Sequence, residues 1–155
     1  IKKEVIEKYK PGIEEIVNIK RGADLVLESG EIIPNGELTL PPWKPRSYAY
    51  ISDTAMHRKI IDYIRDVDIL YHEATFEAKD ADLAKQTSHS TSLDAAEIAK
   101  AADAKKLLLG HFSTRYKQTD TILKEARKVF ENSYAVEDGD IYNVEREREE
   151  TRTSL

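Results

Sequence analysis

From Ser47 onward the chain alternates short apolar runs with amphipathic stretches. Tyr48-Ala-Tyr-Ile-Ser52 predicts a strand ending at Asp53-Thr54. Ala55 to Arg65 sets Met56, Ile60, Ile61 and Ile64 on one helical face. Val67-Asp-Ile-Leu-Tyr71 predicts a second strand ending at His72-Glu73, and Lys106-Leu-Leu-Leu-Gly110 a third ending at His111. Between them, Ser92 to Ala102 is alanine-rich and helical, with Ser90 or Thr91 as its cap. Asp120 to Phe130 turns Ile122, Leu123, Ala126, Val129 and Phe130 inward as a third helix, and Tyr134-Ala-Val136 predicts a fourth short strand.

Before Ser47 the pattern is less regular. Val5 and Tyr9 lie four apart on a helix stopped at Pro11-Gly12, and Ile13 to Ile19 suits either a helix or a strand lead-in. Asp24 to Ile33 alternates around Ser29-Gly30 as a hairpin, followed by a second turn at Asn35-Gly36. Pro41-Pro42-Trp43-Lys44-Pro45 cannot lie inside a helix or a central strand. The expected organisation is therefore an appendage with small hairpins (1–46), a main domain (47–144) and a polar tail (145–155), the last frayed or exposed.

Strand alternating with helix is the grammar of α/β architecture, in which ligands gather beyond the carboxyl ends of the strands. Asp53, the His72-Glu73 pair and His111 each follow an apolar strand, so they are expected along one rim. A carboxylate at Asp53 can bridge two cations or hold a base, and a neutral imidazole at His111 suits zinc. Glu73 can orient an imidazole and favour its charged form, which would let His89 of His89-Ser-Thr91 donate a proton to a leaving group. Plain structural roles suit the same residues. Asp53 can cap a helix, His111 can be satisfied at the core edge, and Glu73 and His89 can sit exposed or in a loop. Lys44, Arg46, Arg115 and Tyr116 could clamp phosphate or simply supply surface charge. Trp43 could stack on a base or make a small apolar contact. His57 carries no assigned role.

Composition narrows the field. One domain is the expectation for 155 residues, with 40% apolar and 34% charged positions typical of a globular chain. No apolar run approaches the roughly 20 residues of a membrane helix, and Ile1-Lys-Lys-Glu-Val5 shows no signal-peptide core. The absence of cysteine excludes disulfides, a thiolate nucleophile and Cys-based zinc sites, and fits a cytoplasmic location. With 24 basic against 29 acidic residues the net charge is −5, so nucleic acid would need a local basic patch.

Taken in order, Pro42-Trp-Lys-Pro-Arg46, Ser52-Asp-Thr54, His72-Glu-Ala-Thr75, His89-Ser-Thr91 and Gly110-His-Phe-Ser-Thr-Arg-Tyr116 closely resemble the C-terminal half of ribonuclease Z. That family comprises metallo-β-lactamase-fold endonucleases that trim 3′ trailers from precursor tRNA. The resemblance is firm from about Lys44 to Gly139. More loosely, residues 1–40 resemble the end of the family's substrate-binding arm and its return hairpin. It implies an α/β fold, the C-terminal half of an αββα sandwich with one mixed sheet and flanking helices, incomplete without the N-terminal half. It implies Asp53 as a bridging ligand and His111 as a ligand of zinc, two ions per complete site. It implies His89, held by Glu73, as proton donor to the departing ribose 3′-oxygen. Lys44, Arg46 and Arg115 would lie near the RNA. The implied reaction is phosphodiester hydrolysis with both metals activating water and stabilising charge.

The family's H-x-H-x-D-H motif has no counterpart among His57, His72, His89 and His111, no two of which are one residue apart. Asp53 and His111 cannot alone hold a two-metal centre, since even one catalytic zinc normally takes three protein ligands. The expectation is therefore a fragment or split half, silent by itself, whose bared inner sheet face drives self-association, such as a homodimer. Two alternatives stand beside it: a non-catalytic half that binds tRNA or a partner, and a related hydrolase acting on a small molecule.

Overall fold

The computed structural model describes residues 1–149, and the rest of the polar tail (150–155) lies outside the described residues. Two units are distinguished: Ile1–Lys44 with the segment from Arg146 onward, and Pro45–Glu145.

In the second unit the four apolar runs form β3 (Tyr48–Ile51), β4 (Ile69–Glu73), β5 (Leu107–Gly110) and β6 (Ser133–Ala135), side by side in that order. The resemblance implied a mixed sheet, but all three pairings are parallel: Ile51 stands opposite His72, and Glu73 opposite Gly110. Helical crossovers between successive strands make parallel pairing the natural outcome. They include α4 (Ala81–Thr87), α5 (Ser92–Ala101) and α6 (Asp120–Val129). Nothing in the sequence pattern had marked α4. The face expected between Ala55 and Arg65 does turn inward, with Ile64 buried and Met56, Ile60 and Ile61 packed on the core. Its backbone, however, is a 3₁₀ segment, Arg58–Tyr63. Such tighter turns are used in short connectors.

Of the two cap candidates for helix α5, Ser90 and Thr91, the cap is Thr91: it accepts from the Asp94 N–H, and the Asp94 carboxylate accepts from the Thr91 N–H (2.9 Å). Ala95, Ala96, Ala99 and Ala102 are fully buried around Ile98, so the helix lies close against Leu70, Leu107 and Leu109 of the sheet. The other side of the sheet is tyrosine-rich. Tyr48 is 59% and Tyr50 64% exposed, and Tyr50 stacks on Tyr71 with ring centres 4.6 Å apart.

In the first unit, α1 (Lys3–Tyr9) ends before Pro11 and α2 (Ile13–Lys20) resolves the open choice at 13–19 as a helix. The hairpin pairs β1 (Leu25–Val26) with β2 (Ile32–Ile33), antiparallel. The turn expected at Asn35-Gly36 is instead a one-turn helix, α3 (Asn35–Leu38). The Asn35 side chain donates to the Ile19 and Ala23 carbonyls (2.7 and 2.8 Å), which holds α3 against the end of α2. Val5, Ile19, Leu25, Ile33 and Leu38 form the small core. Residues 146–149, expected to be frayed or exposed, pair with the loop at 42–44, and Arg146, Glu147 and Glu149 are exposed.

Candidate metal and acid–base site

All three strand-end positions converge. Asp53 and His111 each turn the chain just beyond a strand with left-handed backbone, φ 53° and 57°. That conformation is uncommon outside glycine, costs on the order of 1–3 kcal/mol, and clusters at functional sites. It sets the His111 Nε2 3.2 Å from a carboxylate oxygen of Asp53. His89 joins them from the loop between α4 and α5, its ring 5.2 Å centre to centre from that of His111. One donor atom from each of Asp53, His89 and His111 lies within 4.8 Å of the others.

Beneath them Glu73 is completely buried, although a plain reading would have left it in water. Its carboxylate accepts from the N–H groups of Thr54 (2.5 Å) and Ser90 (3.1 Å), from the Thr75 hydroxyl (2.5 Å) and from His89 Nδ1 (2.9 Å). Burial pushes this carboxyl up, but those hydrogen bonds, led by Thr75 and His89, outweigh burial and hold it below the usual carboxylate range. Glu73 is thus an anion. His89 must give it the Nδ1 proton, which turns Nε2 toward the open side of the cluster.

Thr75 acts as the second hub, and sequence reasoning gave it no role. Its hydroxyl has one proton and lies 2.5 Å from Glu73, so it donates there and accepts at 2.8 Å from the His111 Nδ1–H. That sets the His111 Nδ1 on Thr75 and turns Nε2 toward Asp53. The available clue was period two: Thr75 follows Glu73 by two residues in His72-Glu-Ala-Thr75. Ser90 was seen only as a cap candidate. Its hydroxyl in fact ties the Thr54 carbonyl (2.6 Å), joining the Asp53 turn to the His89 loop.

His72, by contrast, points away from the cluster. It is buried and donates through Nδ1 to the Glu73 carbonyl (2.7 Å); burial holds its imidazole below the ordinary value, hence neutral. With His57, Ser52 and Thr54 it lines a cavity of about 240 Å³.

The basic residues separate. The Arg115 guanidinium lies 5.2 Å from the centre of the Phe76 ring, and Phe76 meets His89 edge-on at 6.2 Å, so Arg115 borders the cluster. Arg46 precedes β3, at the end of that strand opposite Asp53, and donates to the Val144 carbonyl (3.4 Å). Lys44 belongs to the other unit and pairs with Glu147 at 3.8 Å.

Two nitrogens and a carboxylate oxygen form a donor set that suits one zinc-like cation with an open position. Comparison with known proteins agrees in kind. No family model matches. The chain is 48% identical over 137 residues to ribonuclease Z of Parabacteroides distasonis, covering 88% of this chain and 45% of that protein. It is 47% identical over 135 residues to ribonuclease Z of Porphyromonas gingivalis, covering 87% and 44%. Among solved structures, human tRNase Z, short form, superposes with a TM-score of 0.52 at 28% identity over 64% of this chain and 34% of that one. The metallo-β-lactamase fold protein YhfI of Bacillus subtilis gives 0.54 at 30% identity, over 58% and 36%. The chain spans less than half the length of the curated relatives it matches, and by sequence and fold it belongs to the ribonuclease Z family of metallo-β-lactamase-fold proteins.

Proposed function

We propose that this chain supplies one part of a zinc-dependent cytoplasmic endoribonuclease that removes 3′ trailers from precursor tRNA. The observation that carries the reading is the convergence of Asp53, His89 and His111 above a buried Glu73 anion. Bound metal would supply an activated water and charge stabilisation at the phosphate. Asp53 and His111 would hold it. His89, with Nδ1 committed to Glu73, holds a proton at Nε2 for the ribose 3′-oxygen as the P–O3′ bond breaks and water's oxygen joins phosphorus. Arg115 orients a phosphate beside Phe76, and Lys44 and Arg46 contact the RNA.

The same geometry argues that these 155 residues are silent by themselves. If His89 donates the proton, two ligands remain, too few for a catalytic zinc. If His89 completes a three-donor set, its Nε2 lone pair is occupied and the proton donor is gone. In the first case the site needs further ligands and in the second another proton donor, and an H-x-H-x-D-H segment would supply the missing groups. The exposed tyrosine face of the sheet supports self-association, a homodimer in the absence of that segment.

The test is cleavage of precursor tRNA by the chain alone and after mixing with a ribonuclease Z segment that carries H-x-H-x-D-H. The chain alone should stay far below ~1 s⁻¹, the low end of ordinary enzyme turnover. The mixture should cleave, and Glu73→Gln or His89→Ala should abolish that. Turnover by the chain alone, or a folded mixture that binds zinc without cleaving, would overturn the reading.

A further inference from the structure

In the first unit the proline-rich loop and the polar tail form a short antiparallel pairing. The Lys44 N–H donates to the Glu147 carbonyl (2.8 Å), the Glu149 N–H donates to the Pro42 carbonyl (2.9 Å), and Trp43 stands opposite Arg148. Arg148 makes two contacts. One guanidinium nitrogen donates to the Pro41 carbonyl (2.6 Å), and the guanidinium carbon lies 3.9 Å from the centre of the Trp43 ring. Arg146 approaches the same ring at 6.0 Å. Trp43 nevertheless keeps 49% of its surface exposed.

A half-exposed indole held in a proline-rich loop, with one guanidinium 3.9 Å and a second 6.0 Å from its ring centre, is a preorganised stacking surface. Lys44, Arg146 and Arg148 stand against Glu147 and Glu149, three positive charges to two negative, on a chain whose net charge is −5. The local field therefore tolerates a polyanion where most of the surface does not.

We propose that Trp43, framed by Arg146 and Arg148, is a stacking platform for an unpaired base of single-stranded RNA, with Lys44 placed for the adjoining phosphate. Aromatic faces accept any base, so recognition is of unpaired RNA rather than of a sequence, and a duplex, whose bases stay stacked inside, is excluded. The choice of RNA as ligand rests on the functional reading above; the platform itself involves none of the strand-end residues.

Trp43 is the sole tryptophan, so its emission reports this site directly. Titration of the chain with a short single-stranded oligouridylate should quench that emission to saturation, while a blunt RNA duplex of equal length should not. By fluorescence anisotropy of the labelled single strand, Trp43→Leu should weaken binding roughly ten-fold. Arg148→Lys, which keeps the charge but loses the plane, should weaken it less, and Trp43→Phe should retain most of it. Circular dichroism confirms that each variant is folded. No quenching, equal quenching by duplex RNA or heparin, or undiminished binding by folded Trp43→Leu would overturn the proposal. Saturable quenching by a chain that never restores cleavage would sustain the platform and sink the catalytic reading.

Discussion

The two units solve the same problem with different interiors. The first, residues 1–44 with the tail segment, buries five aliphatic side chains, Val5, Ile19, Leu25, Ile33 and Leu38. The second buries nineteen apolar residues, fifteen of them in one cluster, and with them His72, Glu73, Thr75, Glu77, Ser90, Thr91, Ser92 and Ser133. Among the described residues no buried side-chain nitrogen or oxygen lacks a partner. The contrast teaches that a larger apolar core is what allows buried polar groups to be held in one geometry. In the second unit hydrogen bonds set orientation while packing supplies the driving force, and only there is chemistry precisely aimed enough to need burial.

That contrast can be broken most forcefully at Glu73. Glu73→Ala leaves His89 and the N–H groups of Thr54 and Ser90 without their acceptor. The second unit should lose about 3–5 kcal/mol, read by urea unfolding, while Trp43 emission follows the first unit separately. Loss of Trp43 signal at the same urea concentration would show one cooperative body rather than two interiors. In the first unit the sensitive positions should be purely apolar: Leu38→Ala should cost about 2–5 kcal/mol and shift the Trp43 transition first.

Gly110→Ala tests the sheet directly. A Cβ there would stand 2.7 Å from the Tyr71 ring and closer still to its hydroxyl, and that ring is stacked on Tyr50. Overpacking should cost about 1–3 kcal/mol, and Tyr71→Phe in the same chain should recover part of it.

Acid should separate the units more gently. The His72 imidazole is held below its ordinary value by burial, so the unfolded chain takes up a proton near pH 6.5 while the folded chain stays neutral. Stability that is full above that pH therefore falls as pH drops. A second loss begins near pH 4.5, where an unfolded Glu73 protonates before the folded carboxylate does. The second unit should weaken from pH 7 to 4 with His72→Gln flattening the first part of the curve, while the Trp43 transition moves less. The smallest effect is expected at the helix cap: Thr91→Ala should cost about 1 kcal/mol by thermal unfolding.

Much of the second unit was legible from local pattern. The apolar runs at 48–52, 67–71 and 106–110 and a cap at Ser90 or Thr91 were readable, because strand alternation and capping are set by neighbours along the chain. The strands formed are 48–51, 69–73 and 107–110, the second taking in His72 and Glu73, and the cap is Thr91. The 3₁₀ segment at 58–63 was misread as α-helix, since inward residues at such short range satisfy either winding. Helix α4 went unread because it buries only Ala84 and leaves little apolar stripe.

The chain's order of residues determined by itself which chemical groups stand at the strand ends: Asp53, Glu73 and His111, with His89 before a capped helix. It also carried the likeness to ribonuclease Z. Only the tertiary structure decided that Glu73 is buried rather than solvated, that Thr75 orients His111, and that His89 faces the same point as Asp53 while His72 faces away. The reason is physical. Alternation and capping depend on residues a few positions apart, whereas these hydrogen bonds join groups 14 to 36 residues apart, through a parallel register that exists only once the helices have packed on the sheet.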